Sequence, residues 1–265
     1  MSPIVPIYQV DSFTDRPFAG NPAGVCFLEE PADQAWMQHV AREMNVAETA
    51  FVHPQPDGYG LRWFTPLVEV EMCGHATLAT AHTLWETGRL SRAMDARFHT
   101  LSGLLTATWK DGTIEMDFPA TPPAPAPAPA GLLEALGTDA EYVGLTRFDA
   151  LVEVASEERV RSLTPDMAAL RKVKVRGVIV TARAAAAPFD IVSRFFAPTV
   201  GIDEDPVTGS AHAALCPYWA PKLGKEDIVA YQASDRGGVL HLRSCGERVK
   251  IGGQAVTVLA GEFLV

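Results

Sequence analysis

Two segments, one in each half of this 265-residue chain, run through the same order of chemical types. Val70–Ala81 reads VEMCGHATLATA, and Asp203–Leu215 reads DEDPVTGSAHAAL. Each passes from acidic residues into a glycine and a polar residue, Gly74-His75 and Gly209-Ser210, then into small helix formers. A matching landmark precedes each: Arg62-Trp63-Phe64-Thr65-Pro66 upstream, and Arg194-Phe195-Phe196-Ala197-Pro198 downstream. A glycine turn that opens a helix leaves backbone N–H groups pointing outward at the positive end of the helix dipole. Such an end seats a carboxylate or phosphate. A chain with two of them is expected to grip a ligand from both sides.

The repeat extends beyond these turns. Pro119–Gly131, PATPPAPAPAPAG, favours extended polyproline geometry and reads as a semi-rigid spacer between halves of similar length. In the first half, Ile7–Phe13 and Gly24–Leu28 read as strands, Pro31–Met44 as a helix and Thr49–His53 as a strand. In the second, Thr164-Pro165 opens a short helix through Leu170, followed by the strand Gly177–Thr181. Each half closes on a hairpin: Gly103–Phe118 turning at Lys110-Asp111-Gly112, and Gly238–Gly252 turning at Cys245-Gly246-Glu247. Ala76–Leu84 and Ala211–Leu215 are small and apolar on most faces, as helices buried inside a sheet must be. The expected fold is α+β, with two pseudo-symmetric domains, each a curved, mostly antiparallel sheet wrapped around a central helix. The expected limits are 1–118 for the first domain, 119–131 for the Ala-Pro linker and 132–265 for the second. The last strand is a candidate to pair with the first domain.

Composition removes several function classes. A formal net charge of −10 argues against nucleic acid and anionic membranes, which need a basic face. No basic stretch followed by an apolar core opens the chain, and no apolar run of ~18 residues occurs. Cys26, Cys73, Cys216 and Cys245 are widely separated, with no CxxC pair. Free thiols in a reducing cytoplasm are therefore expected. No His/Cys/Asp set shows metal-ligand spacing and no phosphate-binding glycine motif occurs, so neither a metal nor another cofactor is expected.

Several residues have the chemistry for a site. Glu48, in NVAETAFV, lies between a helix and an apolar strand, where a partly desolvated carboxylate suits general acid/base work; a local cap or ion pair is the alternative. His75 can hold a carboxylate or shuttle a proton, or simply cap the helix. Asp203, Glu204 and Asp205 read as N-cap carboxylates, with Asp205 selected as the reactive one because Pro206 fixes the turn after it. Ser210, with the Thr208 and Gly209 amides, is expected to hold an anion or to act as an ordinary cap. Cys73 precedes a helix start, a position that stabilises a thiolate, and is the alternative base. Cys216, His82 and His212 read as packing residues.

These motifs resemble the PhzF-like family of phenazine-biosynthesis isomerases and their relatives. The resemblance runs through Val10–Val25 (VDSFTDRPFAGNPAGV), Asn45–Val52, Arg62–Ala79, Asp203–Leu215 and Gly252–Phe263 (GGQAVTVLAGEF). It implies a fold like diaminopimelate epimerase, with the active site between two similar domains. It implies Glu48 as catalytic acid/base, and Gly74, His75 and Asp205 through Ser210 around the substrate. The characterised isomerase moves a proton between two carbons of trans-2,3-dihydro-3-hydroxyanthranilate without metal or organic cofactor. Epimerases of this fold use a cysteine on each domain. This chain has Cys73 but no thiol in its DPVTGS segment, which speaks against a two-thiol mechanism. The implied function is cofactor-independent isomerisation of a small carboxylate-bearing metabolite by a homodimer. The alternatives are an epimerase using Cys73 with Glu48, and a non-catalytic binding protein.

Overall fold

The computed structural model describes residues 4–264. The chain divides into two compact units: residues up to Asp117 together with those from Gly252 on, and Phe118–Ile251. The second unit ends at Ile251, and the residues that follow belong with the first.

Unit 1 contains β1 (Ile4–Ser12), β2 (Asn21–Phe27), α1 (Gln34–Met44), β3 (Glu48–Gln55), β4 (Gly58–Phe64), β5 (Glu69–Val70), α2 (Gly74–Glu86), β6 (Ala96–Thr100), β7 (Gly103–Lys110) and β8 (Thr113–Pro119). Unit 2 contains β9 (Ala124–Pro125), α3 (Leu132–Leu136), β10 (Tyr142–Leu145), β11 (Asp149–Glu153), α4 (Glu157–Ser162), α5 (Met167–Leu170), β12 (Gly177–Arg183), β13 (Ile191–Phe196), α6 (Gly209–Leu223), β14 (Asp227–Gln232), β15 (Gly238–Cys245) and β16 (Arg248–Gly253). The final strand, β17 (Ala255–Leu264), pairs antiparallel with β1 along its length and completes unit 1.

The two units share one pairing scheme. In unit 1, β1–β2 is antiparallel, β2–β3 parallel, β3–β4 antiparallel, β4–β6 parallel and β6–β7 antiparallel. In unit 2 the series β10–β11, β11–β12, β12–β13, β13–β14, β14–β15 repeats that alternation. Antiparallel pairs dominate, and each unit holds one long apolar helix against its strands. The landmarks have one purpose in both. Arg62 makes a two-pronged ion pair with Glu69 at 2.7 and 2.8 Å and lies over the Phe64 ring. Arg194 does the same with Glu204, both contacts at 2.7 Å, over Phe196. Each fork ties the end of a strand to the loop leading into the glycine turn.

α2 is buried at every residue from His75 to Trp85 and packs on β1, β2, β3 and β17. Its hydroxyls survive burial by turning back on the helix. Thr77, Thr80 and Thr83 donate to the carbonyls of Cys73, Ala76 and Ala79 at 2.6–2.8 Å. On the other side of the strands, α1 starts at Gln34, capped by the Asp33 carboxylate, and buries Met37, Val40 and Ala41 against Phe51 and Phe64.

α6 is longer than the small-residue run suggests, because it continues through Pro217 and Pro221. Proline lacks the N–H that would bond the carbonyl one turn back. For Pro217 that carbonyl belongs to Ala213, and the Thr121 amide donates to it at 3.0 Å. Thr121 lies in the Ala-Pro segment, which is consequently not a free spacer. Ala124 and Pro125 form β9 beside β10, and Ala120 and Ala126 donate to Glu247 and Val143. Proline is tolerated there because the strand is short and at an edge. No helix among the described residues is long and apolar enough to cross a membrane.

Candidate functional site

Glu48 is the first residue of β3, three residues after Asn45, which closes α1 in a left-handed conformation (φ 51°). β3 runs parallel to β2 with Glu48 opposite Ala23 and Thr49 opposite Gly24. A Cβ at Gly24 would lie 3.0 Å from Thr49 Oγ1, a tight contact that glycine avoids. The parallel register brings Asn21 and Glu48, at the starts of neighbouring strands, to the first turn of α2.

At that turn the His75 side chain is enclosed. Its Nε2 lies 3.2 Å from Glu48 Oε2, and its Nδ1 lies 3.5 Å from Cys73 Sγ and 3.3 Å from Asn21 Nδ2. Ser12 Oγ donates to the His75 carbonyl at 2.8 Å, fixing the backbone. Cys73 and His75 are buried, and the Glu48 side chain keeps 13% exposure. Burial works to lower the His75 pKa, but its neighbours Cys73 and Glu48 outweigh burial and hold it well above its ordinary value. For Cys73, burial is the largest influence and the Glu48 charge adds to it, so the thiol is pushed up. Cys73 is the larger of the two upward influences on His75 and Glu48 the second.

Two expectations change here. The helix start was expected to favour a Cys73 thiolate; burial and the adjacent carboxylate outweigh the dipole. The sequence showed no set of residues at ligand spacing, yet one donor atom each from Glu48, Cys73 and His75 lie within 4.8 Å of one another. Residues distant along the chain are gathered by the β2–β3 register, which spacing does not reveal. Asn21 and Ser12 were not selected as site residues. Both lie at or near the VDSFTDRPFAGNPAGV stretch, whose polar positions were the available signal.

The second glycine turn, in unit 2, is built differently. Asp203 pairs with Arg171 at 3.0 Å and Glu204 with Arg194, so neither caps α6. The cap residue is Thr208. Its hydroxyl donates to Asp205 Oδ2, and Gln232 Nε2 donates to the Asp205 carbonyl at 2.7 Å. The Thr208 amide, expected to face an anion, instead donates to Gln232 Oε1 at 2.9 Å. Ser210 is exposed and accepts from Arg176 Nη2 at 3.3 Å, while Arg176 forks onto buried Asp149. Arg176 and Gln232 are additions to the sequence-derived set. At both helix starts, the cap side chain makes no hydrogen bond to the first-turn amides.

The packing histidines are as described from sequence. His212 is fully buried; burial drops its pKa to about 4, and its Nδ1 donates to the Thr208 carbonyl at 2.8 Å. His82 is buried beside Glu86, 3.4 Å away. Cys216 is buried, its thiol pushed up to about 12 chiefly by that burial.

Comparison with known proteins agrees with this architecture. The model of the family described as phenazine biosynthesis-like protein matches residues 10–261. An uncharacterized isomerase of Halalkalibacterium halodurans is 51% identical over 261 residues, 98% of each chain. A phenazine biosynthesis protein of the PhzF family from Enterococcus faecalis is 42% identical and superposes with a TM-score of 0.95, covering 99% of this chain and all of that one. A probable proline racemase from Agrobacterium radiobacter, 13% identical with a TM-score of 0.65 over 97% of this chain and 92% of that one, shares the fold alone. The chain belongs to the phenazine biosynthesis-like family and is an isomerase of that family.

Proposed function

We propose that the chain moves a proton on a small carboxylate-bearing metabolite without a cofactor, with Glu48 as general acid/base. The observation that carries this reading is the Glu48–His75 contact at 3.2 Å on a carboxylate that remains partly open to solvent. The Glu48 carboxylate removes a proton from one carbon and, as the acid so formed, gives one to another; His75, charged by its setting, stabilises the carboxylate before and after. The reading gives Gly74, with the first-turn amides of α2, a share in holding the substrate carboxylate. In unit 2 the reading takes Asp205, Thr208, Gly209 and Ser210 as polar binding groups, with Thr208 orienting the Asp205 carboxylate. Relatives named as isomerases support the reaction class. The substrate class extends the likeness to trans-2,3-dihydro-3-hydroxyanthranilate isomerisation.

The test is solvent-deuterium incorporation into that compound and a panel of small unsaturated and amino carboxylates. Wild-type chain incorporates deuterium, and Glu48→Gln lowers the rate by about 100-fold or more. Incorporation retained in Glu48→Gln but lost in Cys73→Ala would replace this reading with an epimerase that uses Cys73. The raised thiol pKa speaks against that second reading. A cytoplasmic homodimer completes the proposal; sedimentation velocity giving a monomer at micromolar concentration would remove that part.

A further inference from the structure

Glu48 and His75 stand at the starts of β3 and α2; at the far ends of the same two elements lies a cavity of about 330 Å³. The ends of β2 and β3, the start of β4 and Arg89, three residues past the last residue of α2, form its walls. Its volume falls at the small end of the about 300–1,000 Å³ typical of small-molecule sites. The Arg89 guanidinium lies 4.5 Å from the centroid of the Phe27 ring and forms no ion pair among the described residues. Asp57, the acidic residue beside Gly58, is taken up by Arg97 at 2.9 Å. A guanidinium stacked on an aromatic face keeps its N–H edge for a planar, two-oxygen acceptor. The Arg89 backbone is fixed: Tyr59 Oη donates to its carbonyl at 3.2 Å, and the Leu90 amide donates to the Leu84 carbonyl across left-handed Gly88. His53 and Gln55 make the polar wall. The Gln55 amide nitrogen only donates, so its 3.4 Å contact with His53 Nε2 leaves the ring proton on Nδ1. Burial lowers the His53 pKa and favours that neutral form. Both side chains lie across Gly60, where a Cβ would collide with the His53 ring and come within 2.8 Å of Gln55 Nε2.

We infer that this cavity is a second ligand site, for a small aromatic carboxylate, with the carboxylate on the Arg89 fork and the ring against Leu28, Val52 and Pro54. His53 and Gln55 offer hydrogen bonds to a polar ring substituent. Arg89 is the one permanently charged residue of the lining, which suits a singly charged carboxylate better than a phosphate. Phe27 and Tyr59 supply aromatic surface, which favours an aromatic acid over an aliphatic one. The site does not rest on the Glu48 reading, because neither Glu48 nor His75 lines it.

The experiment titrates benzoate into the isotope-labelled full chain and follows the backbone amides by NMR. Saturable shifts of the Val52, His53, Gln55 and Gly58 amides are expected. Arg89→Gln should weaken the affinity read from them by about 10-fold or more, as loss of a hydrogen-bonded charge pair does. Arg89 is exposed, so the substitution should leave amides elsewhere in place. Benzamide, with the same shape and no charge, should bind there far more weakly. No saturable shift, shifts confined to the Gly74-His75 turn, or an affinity unchanged by Arg89→Gln overturns the site. Should Arg89→Gln disturb the fold, equal affinity of the wild-type chain for benzoate and benzamide overturns it instead. Failure of the Glu48 reading is visible separately, as deuterium exchange that persists in Glu48→Gln whatever these amides show.

Discussion

The two glycine turns start from the same backbone design and carry different chemistry. Each follows a strand whose arginine forks onto a glutamate and stacks on a phenylalanine, Arg62–Glu69 over Phe64 and Arg194–Glu204 over Phe196. Each opens a buried helix whose fourth residue returns a side chain to the cap carbonyl: Thr77 to Cys73, and His212 to Thr208. At the α2 turn a thiol, an imidazole and a carboxylate are in contact. At the α6 turn, hydroxyls and amides are interlinked, and its histidine is held neutral by burial. A duplicated frame can therefore keep its supports alike while one copy collects the groups that exchange protons. In the other copy the polar groups largely hold one another in place.

The largest expected break in this asymmetry is at Glu48. Glu48→Gln is expected to lower deuterium incorporation by about 100-fold or more, whereas Asp205→Asn acts chiefly through substrate affinity; steady-state kcat and KM separate the two. The supports should differ in degree only. Arg194→Ala is expected to lose about 2 kcal/mol of stability, because Arg194 holds Glu204 and also donates to the Leu163 carbonyl at 2.7 Å. Arg62→Ala loses about 1 kcal/mol, since Arg62 is 32% exposed and solvent screens the pair. Urea unfolding midpoints measure both, and equal losses would show the forks to be interchangeable.

The two buried histidines should give pH effects of opposite sign. His212 has a folded pKa of about 4 against 6.5 unfolded, so the unfolded chain takes up the proton first as pH falls. Stability from His212 is complete above pH 6.5 and declines by about 3 kcal/mol as pH falls toward 4. His212→Thr, which copies Thr77, should flatten that decline. His75 has a raised folded pKa, so its contribution is complete below 6.5 and is lost as pH rises through the folded value. The smallest effect is at Ser210: Ser210→Ala should change stability by less than about 0.5 kcal/mol, because the hydroxyl is exposed. Isothermal titration with a bound carboxylate should nevertheless show weaker affinity.

Much of this was legible in the order of residues. The repeated landmarks, glycine turns and hairpins mark the duplication, because strand ends and helix starts need particular residues at particular places. The extent of α6 was not legible: two prolines ordinarily end a helix, and only the distant Thr121 amide makes Pro217 tolerable. The Ala-Pro segment was misread as a spacer for the same reason, since its partners β10 and Ala213 lie elsewhere in the chain. Glu48 and His75 were recognisable singly from their local settings. Their contact, and the addition of Cys73 and Asn21, depends on the parallel register of β2 with β3, which no local pattern encodes.

The central claim is that Cys73 and the Glu48 carboxylate together keep His75 charged and so make the α2 turn the proton-handling one. NMR titration of the His75 ring in the wild-type chain and in Glu48→Gln tests it directly. The expected result is a wild-type ring that keeps its proton well above the ordinary histidine range, and a Glu48→Gln ring whose pKa is lower than that of the wild type. A His75 titration that Glu48→Gln leaves unchanged would contradict it.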